Sequence, residues 1–165
     1  MTDQPILVLT TGGTIDKAYF DALSEYQVSE SAIGRLLEEG RVKLPFRIVE
    51  LMRKDSLELT DADRALIAAA VREAPEARVV ITHGTDTMAE TAKALADVEG
   101  KTIVLTGALA PARFAESDAS FNLGMAWAAA QAASPGVYIA MSGKLFDGLK
   151  VRKDRAEGKF VALPG

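Results

Sequence analysis

Two stretches set hydroxyl side chains where an apolar run breaks off. Leu7-Val8-Leu9-Thr10-Thr11-Gly12-Gly13-Thr14-Ile15-Asp16 passes from a strand-type segment into two threonines, two glycines and a third threonine. Val79-Val80-Ile81-Thr82-His83-Gly84-Thr85-Asp86-Thr87 repeats the design. Turns of this kind free backbone N–H groups to face a ligand and let a substrate approach the main chain closely. Together they point to one crevice lined by Thr14, Thr85 and Asp86. A P-loop is excluded, because Gly12-Gly13-Thr14 lacks the spaced second glycine and the Lys-Ser/Thr pair. A dinucleotide turn needs G-x-G-x-x-G, which Gly12-Gly13 does not supply. With no cysteine and one histidine, thiol catalysis, thiolate metal sites and multi-histidine metal sites are excluded as well. What remains is nucleophilic catalysis by a hydroxyl, which an adjacent base must activate. His83 is read as orienting its turn rather than as that base. The other candidates are Lys17, Lys54, Lys144, Lys150 and Lys153. A lysine serves if burial or a neighbouring cation lowers its pKa from about 10.4 toward neutrality.

The totals bound what carries this chemistry. A chain of 165 residues, 48% apolar and 25% charged, is long enough for one complete domain with a substantial core. A formal charge of −4 gives no reason to expect nucleic acid or an anionic membrane as partner. The start Met1-Thr2-Asp3-Gln4-Pro5 is not the basic lead of a secretory signal. No apolar run approaches the roughly 20 residues of a membrane span. The expectation is a soluble, cytoplasmic, single-domain protein over 1–165, with no metal and no cofactor implied.

Strands are expected at 6–10, 46–51, 78–82, 102–105 and 137–141. Each is a continuous apolar run, as a strand buried on both faces should be. Residues 11–29 read as a long functional connection carrying Tyr19 and Tyr26. Ser29 is the expected N-cap of a short helix with Ile33, Leu36 and Leu37 on one face, closed by Gly40. Thr60 and Asp63 form a capping-box start to a helix through about 73, with Ala62, Leu66, Ala69 and Ala70 on its buried face. Pro75 stops it. The next helix buries Met88, Ala92, Leu95 and Ala96 and ends before Gly100. An alanine-rich helix spans about 118–132. Residues 144–151 read as a small hairpin turning at Asp147-Gly148, and Phe160, Val161 and Leu163 as an edge segment. Strands alternating with helices mean a doubly wound, flavodoxin-like, mostly parallel α/β sheet with helices on both faces. In such a sheet the ligand crevice lies at the carboxyl ends of the strands. All the hydroxyl- and glycine-rich turns fall on that edge: 10–14, 54–56, 83–86, 106–108 and 142–143.

Taken with their order and spacing, these motifs resemble the bacterial-type L-asparaginase/glutaminase family. Thr11-Gly12-Gly13-Thr14-Ile15 and His83-Gly84-Thr85-Asp86-Thr87 look like its two signatures. Asp55-Ser56-Leu57-Glu58-Leu59-Thr60 resembles its substrate-binding turn. Thr106-Gly107-Ala108-Leu109-Ala110-Pro111, with Phe121-Asn122-Leu123, resembles the segment after its fourth strand. Asp147-Gly148 with Val151-Arg152-Lys153 resembles the hairpin that ends in its catalytic lysine. The resemblance implies a two-step hydrolysis of L-asparagine to L-aspartate and ammonia, with glutamine a poorer substrate. Thr14 would be the nucleophile, and Thr85, Lys153 and Asp86 a second activating group. Ser56 would hold the substrate α-carboxylate and Asp86 its α-ammonium, with Asp55, Gly13, Gly84 and Ala108 also facing substrate. A loop tyrosine, Tyr19 or Tyr26, would assist Thr14. Most members carry a second, smaller C-terminal domain, and this chain resembles a short form or a fragment ending after the first. A homo-oligomer, dimer or tetramer, is expected, because the missing domain would cover surface. A non-catalytic amino-acid-binding module and the amidase half of an amidotransferase are the alternatives.

Overall fold

The computed structural model describes residues 3–20, 25–28 and 31–164, and for residues 19, 20 and 25–28 it describes the backbone alone. In chain order the elements are β1 (Ile6–Gly12), a 3-10 turn (Thr14–Asp16), β2 (Lys17–Phe20), β3 (Glu25–Val28), α1 (Ile33–Glu39), β4 (Phe46–Lys54) and a second 3-10 turn (Ser56–Glu58). There follow α2 (Asp61–Glu73), β5 (Arg78–Thr82), α3 (Met88–Ala94), β6 (Thr102–Thr106), α4 (Ala119–Ala132) and β7 (Gly136–Met141). The chain closes with β8 (Lys144–Asp147), β9 (Val151–Asp154) and β10 (Lys159–Ala162). No helix among the described residues is long and apolar enough to cross a membrane.

The main sheet has six strands in the order β4-β1-β5-β6-β7-β8. The first five run parallel, and β8 returns antiparallel to β7. This is the doubly wound arrangement expected, with its topological switch point beside β1. Although the strands read as unbroken apolar runs, alternate residues serve different layers. Leu7, Leu9, Val79, Ile81, Ile103 and Leu105 pack with Ile67 and Val71 of α2 and Met88 and Ala92 of α3. Ile6, Val8, Val80 and Val104 pack with Ile33, Leu36 and Leu37 of α1 and Leu123, Ala126 and Trp127 of α4. Each fully buried Leu or Ile stabilises the fold by about 1.5–3 kcal/mol. The two layers together hold β1, β5 and β6 rigidly at the centre.

Several local expectations need correction. The connection 11–29 is not a plain loop, because its described backbone forms the antiparallel ribbon β2–β3. Ser29 lies outside the described residues, and the N–H of Ala32 at the start of α1 is held by Asp16. The strand expected at 46–51 continues to Lys54. α2 starts on the capping box expected at Thr60 and Asp63, but its buried stripe is Ile67, Ala68 and Val71. Leu66 is 51% exposed. An alanine-rich helix offers two competing stripes here, and the β-branched pair wins. Ala96 is exposed, beyond the end of α3. The hairpin expected over 144–151 does not form. β8 pairs back on β7 through Ser142-Gly143, and β9 pairs with β10. Asp147 instead accepts from the N–H of Leu149 at 2.9 Å, turning the chain between the two pairs.

Candidate active site

The strand-end turns are packed backbone against backbone. Gly13 has φ +85°, and a Cβ placed on it would lie 2.6 Å from Gly84 Cα. A Cβ on Gly84 would in turn lie 2.6 Å from Ser56 Cβ. Glycine at 13 therefore meets two demands at once, left-handed φ and contact with a neighbouring main chain. The N–H of Gly13 donates to Lys54 O at 3.0 Å, and the Thr11 hydroxyl donates to Thr82 O at 2.7 Å. These contacts draw the ends of β1, β4 and β5 together. Thr14 and Thr85 each follow one residue after the Gly13–Gly84 contact. Thr14 opens its 3-10 turn and is half-buried.

Across the crevice, β9 delivers Lys153. Its Nζ donates to Thr85 Oγ1 at 2.6 Å and to Asp86 Oδ1 at 2.7 Å. The lysine side chain is only 12% exposed, against 33% for Asp86. Burial makes this hydroxyl–amine–carboxylate group stronger electrostatically than a surface pair would be. Arg155 donates to Asp86 O at 3.3 Å, fixing the same turn from outside. The residue at the N-cap position of α3 is Thr87, and the Asp86 carboxylate is bonded to Lys153. Among the other lysine candidates, Lys17 pairs with Asp55, Lys54 with Asp63, and Lys144 lies over the Phe146 ring.

The remaining candidates divide between support and access. His83 is fully buried, its ring between Gly84 O at 2.6 Å and Thr91 Oγ1 at 2.7 Å. Nδ1–H donates to the carbonyl and Nε2 accepts from the hydroxyl, so the neutral ring satisfies both. Burial pushes its pKa down to about 4. His83 thus orients the turn. Ser56 is also buried; its Oγ accepts from the N–H of Thr87 at 3.3 Å, and its carbonyl accepts the Thr87 hydroxyl at 2.7 Å. Among the described residues the serine's own O–H proton meets no acceptor and is left to donate. Asp55 is bound to Lys17 Nζ at 2.9 Å. Partial burial raises its pKa, but the Lys17 hydrogen bond and charge outweigh this and hold it below the usual range. Ala108 packs its methyl into the core with Ile15, so its backbone alone can meet a ligand. Tyr19 and Tyr26 stand directly opposite each other in the β2–β3 register. Both positions therefore belong to one ribbon rising from the Thr14 turn.

Three supporting residues have roles that their sequence surroundings do not state, although Asn122 and Asp16 lie in stretches quoted above. Asn122, fully buried, donates to Gly107 O at 2.9 Å and accepts from the N–H of Ser142 at 3.2 Å, joining the ends of β6 and β7. Asp118 accepts from the N–H groups of Leu109 and Ala110. Asp16, 1% exposed, reaches the start of α1. Each of these links joins residues more than one turn apart in sequence, so no local pattern gives their partners. A cleft of about 360 Å³ between α1 and α4, lined by Leu36, Leu37, Val42, Leu123 and Trp127, stands apart from this chemistry on the flank of the sheet.

Comparison with known proteins agrees with this fold. The family model described as "Asparaginase, N-terminal" matches residues 5–160. The L-asparaginase of Thermococcus kodakarensis is 37% identical over 163 residues, spanning 93% of this chain and 48% of that protein. A component of the glutamyl-tRNA(Gln) amidotransferase of Methanococcus vannielii is 44% identical over 84 residues, 46% of this chain and 20% of that one. The solved thermostable L-asparaginase from Thermococcus kodakarensis superposes with a TM-score of 0.83 at 32% identity, covering 96% of this chain and 51% of that chain. The chain thus spans about half the length of the asparaginases it matches.

Proposed function

Since the chain belongs to the asparaginase family, matching its N-terminal domain, we propose that the carboxyl-edge crevice is an amidohydrolase site. It hydrolyses L-asparagine to L-aspartate and ammonia, with glutamine a poorer substrate. The observation that carries the reading is Lys153 Nζ bonded to both Thr85 and Asp86, on the turn whose backbone touches the Thr14 turn. Thr14 Oγ attacks the side-chain amide carbon. Its proton passes to the leaving nitrogen, which departs as ammonia, and a β-aspartyl ester remains on Thr14. Water then attacks the ester carbon, and the proton it loses returns to Thr14 Oγ. Thr85, Lys153 and Asp86 carry protons during these transfers. Backbone N–H groups of the two glycine turns stabilise the oxyanion in both steps.

Substrate orientation follows from charge. The Ser56 hydroxyl donates to the α-carboxylate while its oxygen accepts from Thr87 N–H. The Asp86 carboxylate oxygen not bonded to Lys153 receives the α-ammonium. Tyr19 or Tyr26, from the ribbon that follows the turn, assists Thr14.

Ammonia release from asparagine and glutamine tests this directly. Turnover on asparagine that exceeds turnover on glutamine supports it; a folded chain with no release at saturating asparagine sinks it and leaves a binding module. A second reading, the amidase half of an amidotransferase passing ammonia to a partner, is favoured by the match to the amidotransferase component. Free-standing turnover unchanged by any added partner removes the need for it.

A further inference from the structure

We propose that Asp16 is a positioning residue for Thr14, tying the nucleophile's turn to the start of α1 across the base of the β2–β3 ribbon. This rests on Thr14 being the nucleophile. The side chain of Asp16 is 1% exposed. Its backbone N–H donates to Gly13 O at 3.1 Å, closing the 3-10 turn that Thr14 opens. Its Oδ1 accepts from the N–H of Ala32 at 2.9 Å and from the Ser31 hydroxyl at 3.1 Å. One residue therefore grips the Thr14 turn with its main chain and the start of α1 with its side chain.

Helix capping alone does not account for this arrangement. Ser31 already serves α1 locally, accepting from the N–H of Ile33 at 3.2 Å. A buried carboxylate is an expensive acceptor unless it is well bonded, and burial raises the Asp16 pKa. Placing that carboxylate on the nucleophile's own turn, 15 residues before Ser31, gains something a local cap does not. What it gains is a fixed path for the chain on both sides of the ribbon, which begins at Lys17 opposite Val28. The turn is then held at Gly13 by Lys54 O, at Ile15 O by the N–H of Ala112, and at Asp16 by α1. Thr14 sits between the first two of these anchors and the third closes the turn.

The test compares Asp16→Ala, Asp16→Asn, Asp16→Glu and Thr14→Ala in the full chain. Asn keeps an acceptor oxygen in place, whereas Ala removes it and Glu displaces it by a methylene. The expected result is kcat on asparagine within about threefold of wild type for Asn, and a loss on the order of 10²-fold for Ala and Glu with KM little changed, the scale set by a misplaced nucleophile. If Ala does not fold, the Asn–Glu pair decides. Wild-type kcat per folded molecule in Ala or Glu, with only a lower melting temperature, overturns the proposal in favour of a plain helix cap. Full turnover by Thr14→Ala refutes the nucleophile reading itself and is read separately. Amide hydrogen exchange supplies a readout without turnover. Loss of protection at both 13–16 and 33–36 in Ala, and at neither in Asn, supports the link. Loss at 33–36 alone overturns it.

Discussion

Replacing Gly13 by alanine tests the packing that brings the two threonine turns together. At φ +85° and ψ −179° the backbone occupies a region held almost only by glycine, which costs a non-glycine residue about 1–3 kcal/mol. The new Cβ lies 2.6 Å from Gly84 Cα and 2.9 Å from His83 C. Those are main-chain atoms between two central strands and cannot rotate away, so overpacking adds about 1–3 kcal/mol. The sum is a loss of about 2–6 kcal/mol, or a melting temperature lower by roughly 5–20 °C for a chain of this size. Gly100→Ala is the control. Its φ is +74° but nothing lies within 4 Å of the added methyl. Only the left-handed backbone is then penalised, by about 1–2 kcal/mol. Urea and thermal unfolding of both variants measure the difference, and ammonia release per folded molecule measures the site. Gly13→Ala should be the less stable and should lose turnover, while Gly100→Ala keeps it. Equal stabilities, or full turnover by a folded Gly13→Ala, would refute the claim that this contact builds the crevice.

Lys153→Met keeps much of the side-chain volume but removes the donor to Thr85 and Asp86. Turnover should fall by about 10²-fold or more, the scale of a lost acid–base group, measured by ammonia release. His83 makes a prediction about pH. Its folded pKa of about 4 lies below its ordinary value near 6.5, so between those values the unfolded chain binds more protons. Its contribution to stability is intact above pH 6.5 and is lost as pH falls toward 4, by about 3 kcal/mol in all. An imidazole proton resonance titrating near pH 6.5 in the folded protein would contradict this. Asp16 acts with the opposite sign: its raised pKa means the native state holds its proton longer, so its contribution falls as pH rises through the acid range. Urea unfolding of Asp16→Asn beside the wild type across that range checks it, since the variant should lose this slope.

Much of the architecture is legible in the sequence because the driving forces are local. The central strands at 78–82 and 102–106 are rich in β-branched apolar residues, and the Thr60–Asp63 capping box acts within four residues. Local patterns mislead where a local signal meets a tertiary competitor. Asp147-Gly148 carries a strong turn signal, yet Phe146 buries itself against Ile139 and Phe160, and that draws β8 onto β7. Leu66 has the size of a core residue, but the seating of α2 on the sheet turns Ile67 and Val71 inward. The site is legible as a set of strand-end turns, since a parallel sheet places them all on one edge. Which lysine serves them is not. Lys153 and Thr85 are 68 residues apart, and nothing near either one in sequence distinguishes Lys153 from Lys150. That pairing needs either the family resemblance or the fold.

An ester between Thr14 and the substrate is the step on which the proposed chemistry turns. Intact-protein mass spectrometry of the chain, quenched in acid during turnover of asparagine, tests it most directly. The predicted result is an added mass of one aspartyl group, localised by peptide mapping to the segment containing Thr14 and absent from Thr14→Ala. An adduct on Thr85, or wild-type ammonia release by Thr14→Ala with no adduct on either threonine, would contradict it.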